Sequence, residues 1–370
     1  MSQTPPPGAR VKVHELDTGS LVGRARGTAY GRRFAAEIAS AATAYTAFFR
    51  DMGIADETVS HTLAGCDEAL RAWAPQLAVE IDAVAEGAGM PSRSVLLLNS
   101  RTEILAAEPL PVSECSTLVR VPAAVTEPVL ATQTWDWAPR LTPDGVMWRY
   151  ATDAGGRVVT FVEPGMLAKI GVNDRGLGVH FNFLDHHADS IDGGVPLHCI
   201  VRRILDEASS VPEAVELARS AWVGASSVVT VVSSRPGQRD AASVEISPAG
   251  VAAISPDADG WLAHTNHFLD PGLAAGEVIE PTSTSRARLA HLRSVLADDL
   301  PHLALVELAG RLCGAAGAQA PICVREDPTR PSTQQWRTLL TLRLDPQAGV
   351  VHYGEGSPAE VAARGGMRQW

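Results

Sequence analysis

Lysine is almost missing from this 370-residue chain: Lys12 and Lys169 stand alone among 31 basic residues, the rest arginine. With 42 acidic residues the formal net charge is −11, so there is no basic excess of the kind that a nucleic acid or an anionic membrane surface rewards. Aromatic residues make up only 5%, which gives no sign of a large stacking pocket. Nowhere do about eighteen apolar residues run unbroken, the length a membrane span needs. The opening Met-Ser-Gln-Thr-Pro-Pro-Pro-Gly lacks the charged and then apolar pattern of a secretory signal, so a cytoplasmic protein is expected. The five cysteines are odd in number, widely spaced and without a C-x-x-C pair, which argues against a disulfide framework or a zinc cluster and for a reducing compartment. The histidines show no H-E-x-x-H spacing, and Gly176-Leu177-Gly178 is a turn pair without the full phosphate-binding fingerprint. No metal, nucleotide or other cofactor is expected.

What is present is an ordinary globular composition, 45% hydrophobic and 20% charged, long enough for a large core. Residues 1–10 are a polar, proline-bearing tail that reads as disordered. Val11 to Leu16 alternates like a short strand, and Gly23, Gly27 and Gly31 read as a turn before the first helix. That helix spans Arg32 to Met52, where Phe34, Ile38, Tyr45, Phe48 and Phe49 recur at helical steps. Helical periodicity continues over 56–87, interrupted at Pro75, and over 92–105. From residue 116 the texture turns to β-branched alternation, predicting strands at 116–121, 128–137, 146–152, 157–162, 167–172 and 177–184. Helices return at 197–207 and 212–221, strands at 226–233, 242–247, 251–255 and 261–266, helices at 285–297 and 301–313, and a last hairpin at 338–344 and 349–353. Two blocks of strands with helices beside each predict an α+β protein with two packed sheets between helical layers.

The chain is organised around Glu114-Cys115-Ser116-Thr117-Leu118-Val119-Arg120 and Thr132-Gln133-Thr134-Trp135-Asp136-Trp137. A cysteine opens one strand of a hairpin, and the second strand delivers a carboxylate close to it. The Pro- and Ala-rich stretch before Cys115 reads as an exposed connector, so this thiol is well placed to become a new chain end. Taken by itself, a free cysteine more often serves as a small buried hydrophobe.

Asn99-Ser100-Arg101-Thr102-Glu103, then Glu-Cys-Ser-Thr, then Thr-Trp-Asp-Trp, resemble the acyl-coenzyme A:6-aminopenicillanic acid acyltransferase family, self-cleaving Ntn hydrolases classed as C45 cysteine peptidases. The resemblance implies a four-layer αββα sandwich and a precursor, or zymogen, cut between Glu114 and Cys115. Residues 11–114 would become a mostly helical small chain that stays associated with the catalytic core, 115–370. It further implies Cys115 as nucleophile, Asp136 as the carboxylate that orients the new amine, and Asn266 as oxyanion donor. Asn182 matches a second asparagine position, and Arg286 or Arg288 an arginine near the nucleophile. The freed α-amine, with a reference pKa of about 8, can take the thiol proton, so no partner base is required. Arg101 and Glu103, just before the connector, would pair with each other, clamp the uncut segment or simply face solvent. The partners implied are a small-molecule acyl donor, acyl-coenzyme A among the choices, and an amine or water as acceptor.

Two positions depart from relatives. The fungal acyltransferase has Gly at the position of Glu114, and bile-salt and penicillin V hydrolases have Arg at the position of Gln133. Two other readings therefore stay open: an uncut Cys–His hydrolase, using histidines around Asn266 (His264, His267) or Asn182 (His180, His186, His187), and a non-catalytic small-molecule-binding protein.

Overall fold

The computed structural model describes residues 10–107, 115–235 and 237–370. Residues 1–9 of the expected tail and Glu114, on one side of the expected cleavage site, lie outside them. The chain begins with β1 (Lys12–Asp17) and six helices: α1 (Gly23–Arg33), α2 (Ala35–Asp51), α3 (Asp56–Trp73), α4 (Pro75–Ala88), α5 (Ser92–Asn99) and α6 (Arg101–Leu105). One departure from the sequence reading falls here, since the Gly23–Gly31 stretch is helix rather than turn. Its glycines serve packing: a Cβ on Gly31 would sit 2.0 Å from the Val84 carbonyl oxygen, and one on Gly87 2.3 Å from that of Thr28. Helices α1 and α4 thus meet backbone to backbone, a contact that no larger residue permits.

Two sheets follow. The eight-stranded sheet runs in the order β1, β4 (Asp144–Ala151), β5 (Arg157–Val162), β6 (Ile170–Asn173), β7 (Leu177–Phe183), β8 (Ser227–Arg235), β9 (Gln238–Ser247) and β10 (Gly250–Ile254). It is antiparallel except that β1 pairs parallel to β4. The six-stranded antiparallel sheet runs in the order β11 (Trp261–His264), β2 (Cys115–Arg120), β3 (Leu130–Trp137), β12 (Arg337–Asp345), β13 (Val350–Glu355) and β14 (Arg368–Gln369). The sheets pack face to face. Helices α7 (Leu197–Glu207) and α8 (Val211–Arg219) cover the larger sheet; α10 (Ser285–Ser294), α11 (Leu305–Cys313) and α12 (Pro358–Arg364) cover the smaller; and α9 (Pro271–Ala274) is a single turn between β11 and α10. The architecture is the α+β, four-layer αββα sandwich.

Alternation along β2 sorts its side chains. Cys115 and Val119 join the large core between the sheets, while Leu118 joins a second apolar cluster under α10 and α11 with Leu130, Leu292, Leu308, Leu312, Cys313 and Cys323. The first residue of β2 therefore presents its side chain to the inter-sheet space. Among the described residues no helix is long and apolar enough to cross a membrane.

Candidate active site

Antiparallel register sets Cys115 opposite Trp135, and Asp136 follows one residue along β3. All three are buried, and the Cys115 thiol lies 3.9 Å from the Asp136 carbonyl oxygen. Burial, with the neighbouring Asp136 charge behind it, pushes that thiol up to about 12. Every polar atom of Cys115 is engaged. Its backbone N–H donates to Asn266 Oδ1 at 2.7 Å; its carbonyl oxygen accepts from Arg288 Nη1 at 2.6 Å and from Asn182 Nδ2 at 3.2 Å.

These partners are themselves fixed. Arg288, one turn into α10 and fully buried, also donates to Asn266 Oδ1 (3.0 Å), Ser116 Oγ (3.0 Å) and, through Nε, Thr284 Oγ1 (3.0 Å). Asn266, just beyond β11, donates its backbone N–H to Ser285 Oγ (2.8 Å) and a side-chain N–H to the Phe183 carbonyl oxygen (2.8 Å). Two donors around Oδ1 define which way this amide points. Asn182 on β7 accepts from Thr117 Oγ1 (2.8 Å) and Gln133 Nε2 (3.0 Å), tying the two sheets together beneath Cys115. Gln133 thus fills its place with an amide that holds Asn182.

The remaining candidates fall elsewhere. Arg286 is exposed and pairs with Glu277, away from the cluster. Arg101 and Glu103 are both buried and neither solvated nor bonded to each other. Glu103 accepts from the Leu197 N–H at 2.7 Å, at the start of α7, and burial raises it to about 8. Arg101 donates to Glu163 at 2.8 Å and lies over the Trp137 ring at 4.2 Å. Four of the five histidines proposed as bases are bonded to other groups: His264 to Glu245 (2.8 Å) and the Thr265 carbonyl (3.0 Å), His267 to Ser285 (2.7 Å), His180 to Gln133 (3.2 Å), and His186, which accepts from the Ala188 N–H (3.0 Å).

Sequence reasoning missed the layer under the tryptophans that flank Asp136. Glu163, just after β5, accepts from Lys169 (2.6 Å), Arg101 (2.8 Å) and the Tyr45 hydroxyl (2.5 Å), and that hydroxyl accepts from Trp137 Nε1 (2.8 Å). Lys169 Nζ stands 4.1 Å from the centre of the Trp135 ring, a cation held against the residue paired with Cys115. Burial first, then Arg101, bring Lys169 down to about 7. One clue was available: a single lysine in a strand-rich region of a chain that uses arginine almost everywhere else.

The family whose sequence pattern matches residues 126–360, well over half of the chain, is described as acyl-coenzyme A:6-aminopenicillanic acid acyl-transferase. The chain belongs to that family. The matched region holds Asp136, Asn182, Asn266 and Arg288, while Cys115 lies just before it. The acyl-coenzyme A:6-aminopenicillanic-acid-acyltransferase 40 kDa form of Emericella nidulans is 26% identical over 223 residues, 60% of this chain and 60% of the fungal protein, so the match spans less than two thirds of that relative. Among solved structures, the penicillin V acylase of Agrobacterium tumefaciens aligns at 12% identity over 65% of this chain and 83% of its own (TM-score 0.36). A mutant conjugated bile acid hydrolase of Clostridium perfringens aligns at 11% identity over 65% of this chain and 89% of its own (TM-score 0.45).

Proposed function

We propose that this family member is a cysteine acyltransferase or amidohydrolase of the N-terminal-nucleophile type, made as a precursor and activated by its own cleavage between Glu114 and Cys115. The observation that carries this reading is the threefold anchoring of Cys115 by Asn266, Arg288 and Asn182, with Asp136 beside the thiol. A structural cysteine needs only an apolar hole. Here the nitrogen, the carbonyl and the sulfur are each given a fixed position.

The chemistry follows in two stages. In the precursor the Cys115 thiol adds to the Glu114 carbonyl, the C–N bond breaks with its nitrogen taking a proton, and the resulting thioester is hydrolysed by water. Cys115 is left with a free amine. A thiol held as high as about 12 is a poor nucleophile at neutral pH. An amine on the same residue, with an ordinary pKa of about 8, supplies the missing base. Asn266 Oδ1, already accepting from this nitrogen, steers the amine, and the Asp136 carboxylate orients its charged form. The second N–H of the Asn266 amide is the oxyanion donor, for which a loss of roughly 10²–10³-fold on removal is typical. Cys115 then takes the acyl group from a small-molecule donor, an acyl-coenzyme A thioester or an amide, and passes it to an amine or to water. The Arg26–Glu80–Arg202 cluster, which bridges helices on either side of the cut, keeps the two fragments together.

The test is intact mass and N-terminal sequencing of freshly purified protein beside a Cys115→Ala control, followed by a screen of acyl donors. Expected are a fragment that begins Cys-Ser-Thr-Leu, a control that stays whole, and a donor-derived acyl adduct on Cys115. A wild-type chain that remains uncut and forms no acyl adduct would leave the small-molecule-binding reading in its place. Turnover by an uncut chain, lost in His264→Ala or His267→Ala, would instead establish the Cys–His hydrolase.

A further inference from the structure

The second apolar cluster, on the outer side of the six-stranded sheet, holds two sulfurs that the site does not use. Cys313 ends α11 and Cys323 lies ten residues on, beyond a 3-10 turn over Gly314–Gln319; their Sγ atoms are 3.7 Å apart. Both are free thiols, and among the described residues no other two cysteines share a hydrogen bond between their sulfurs. Sulfurs at this separation touch without bonding, and a bond of about 2 Å is reached by bringing the two side chains closer.

We propose that Cys313 and Cys323 are a redox-modification site, a dithiol that closes to a disulfide by exchange with a low-molecular-weight disulfide. The Cys323 thiolate attacks one sulfur of that disulfide and expels the other as a thiolate, giving a mixed disulfide on Cys323. The Cys313 thiol, losing its proton, then attacks the Cys323 sulfur and expels the second small thiolate. The protein loses two electrons and two protons, and the small disulfide becomes two thiols.

The surroundings divide these roles. The hydrogen bond from Cys313 holds Cys323 below the ordinary thiol range, with further help from the Ala359 N–H, the Ser357 hydroxyl and the Arg325 charge, while the same bond raises Cys313. Both thiols are buried, but a cavity of about 920 Å³ lies next to them, its wall including Arg325, Ser357 and Ala359, the groups that face Cys323. Cys66 and Cys199 offer a contrast within the same molecule: buried as well, they share no hydrogen bond with another sulfur among the described residues, and burial raises both.

The test uses the full-length protein incubated with glutathione disulfide, quenched with acid and N-ethylmaleimide, and mapped by peptide mass spectrometry. Expected is a 313–323 cross-linked peptide as the main product. In Cys313→Ser a stable glutathione adduct accumulates on Cys323, and in Cys323→Ser no adduct forms on Cys313. Alkylation of reduced protein near pH 7 should label Cys323 about tenfold faster than Cys66 or Cys199. A persistent glutathione adduct on Cys323 of the wild type, or Cys323 labelling no faster than Cys66, overturns the proposal. The wild-type map decides the matter even if a variant does not fold, and because it is read at Cys313 and Cys323 its failure is distinct from any failure at Cys115.

Discussion

Glu80 and Glu163 are two buried carboxylates, each gripped by two cations, in two regions of one molecule. Glu80 accepts from Arg26 (2.8 Å) and Arg202 (3.1 and 3.0 Å) and joins α1, α4 and α7. Glu163 accepts from Arg101 and Lys169 beneath the Trp135-Asp136-Trp137 strand. Burial alone would raise both acids; the cations outweigh it and hold both below the ordinary range. The difference lies in one cation. Arginine keeps its proton at every accessible pH, so the Glu80 cluster has one charge state and acts as a rivet. Lysine can let its proton go, and Lys169 is driven down to about 7 at the place where it faces the partner of Cys115. The same three-residue pattern is thus fixed where it joins elements and adjustable where it underlies the site.

The harshest way to break the comparison is at the rivet. Glu80→Gln removes the carboxylate that Arg26 and Arg202 share and leaves each with only its outer partner, Asp153 and Asp206, and stability should fall by about 3 kcal/mol in urea denaturation. Replacing the three residues by apolar ones of similar volume and neutralising the remaining acid, Arg26→Met, Glu80→Leu, Arg202→Met and Asp206→Asn together, should recover much of that loss. A Glu80→Gln protein as stable as the wild type would mean that the cluster is not what holds α1 and α4 to α7.

The adjustable cluster should be exposed by pH. Between about 7, where folded Lys169 titrates, and 10.5, where the unfolded lysine does, the unfolded chain carries a proton that the folded chain lacks. Stability from this group therefore rises with pH. Wild type minus Lys169→Met should climb by up to about 1.4 kcal/mol per unit between pH 7 and 9. Wild type minus Arg202→Met should stay flat over the same range. Parallel pH curves for wild type and Lys169→Met would remove the distinction between the two clusters.

What could be read from the chain depended on how far apart the interacting residues are. The β2–β3 hairpin is local, its alternation and its Trp-Asp-Trp ending lie within two dozen residues, and its strands match the expected ones to within two residues. Cys115, Asp136, Asn182, Asn266 and Arg288 were named from short motifs, and the fold brings them together. Other features rest on contacts between distant segments, which leave little local trace. Gly27 and Gly31 looked like turn residues because only the approach of α4 explains them. Arg101 and Glu103, two residues apart, suggested a pair, yet their partners are Glu163 and the Leu197 N–H. Cys313 and Cys323 show no motif, since a turn between them sets their contact.

The finest test uses the tyrosine that each cluster owns. Tyr150 donates to Asp206 at 2.8 Å, and Asp206 keeps a bond from Arg202 without it. Tyr45 donates to Glu163 and at the same time accepts from Trp137 Nε1, so removing its hydroxyl strips two buried groups at once. Tyr150→Phe should cost about 1 kcal/mol and Tyr45→Phe about 2 kcal/mol, a gap readable in paired urea melts. The second change should also reach the site, because Trp137 is next to Asp136 in β3 while Tyr150 has no such neighbour. On the proposed mechanism, acyl-adduct formation on Cys115 should slow in Tyr45→Phe and stay at the wild-type rate in Tyr150→Phe. Equal rates in the two variants would show that the Glu163 cluster, like that of Glu80, only holds the fold together.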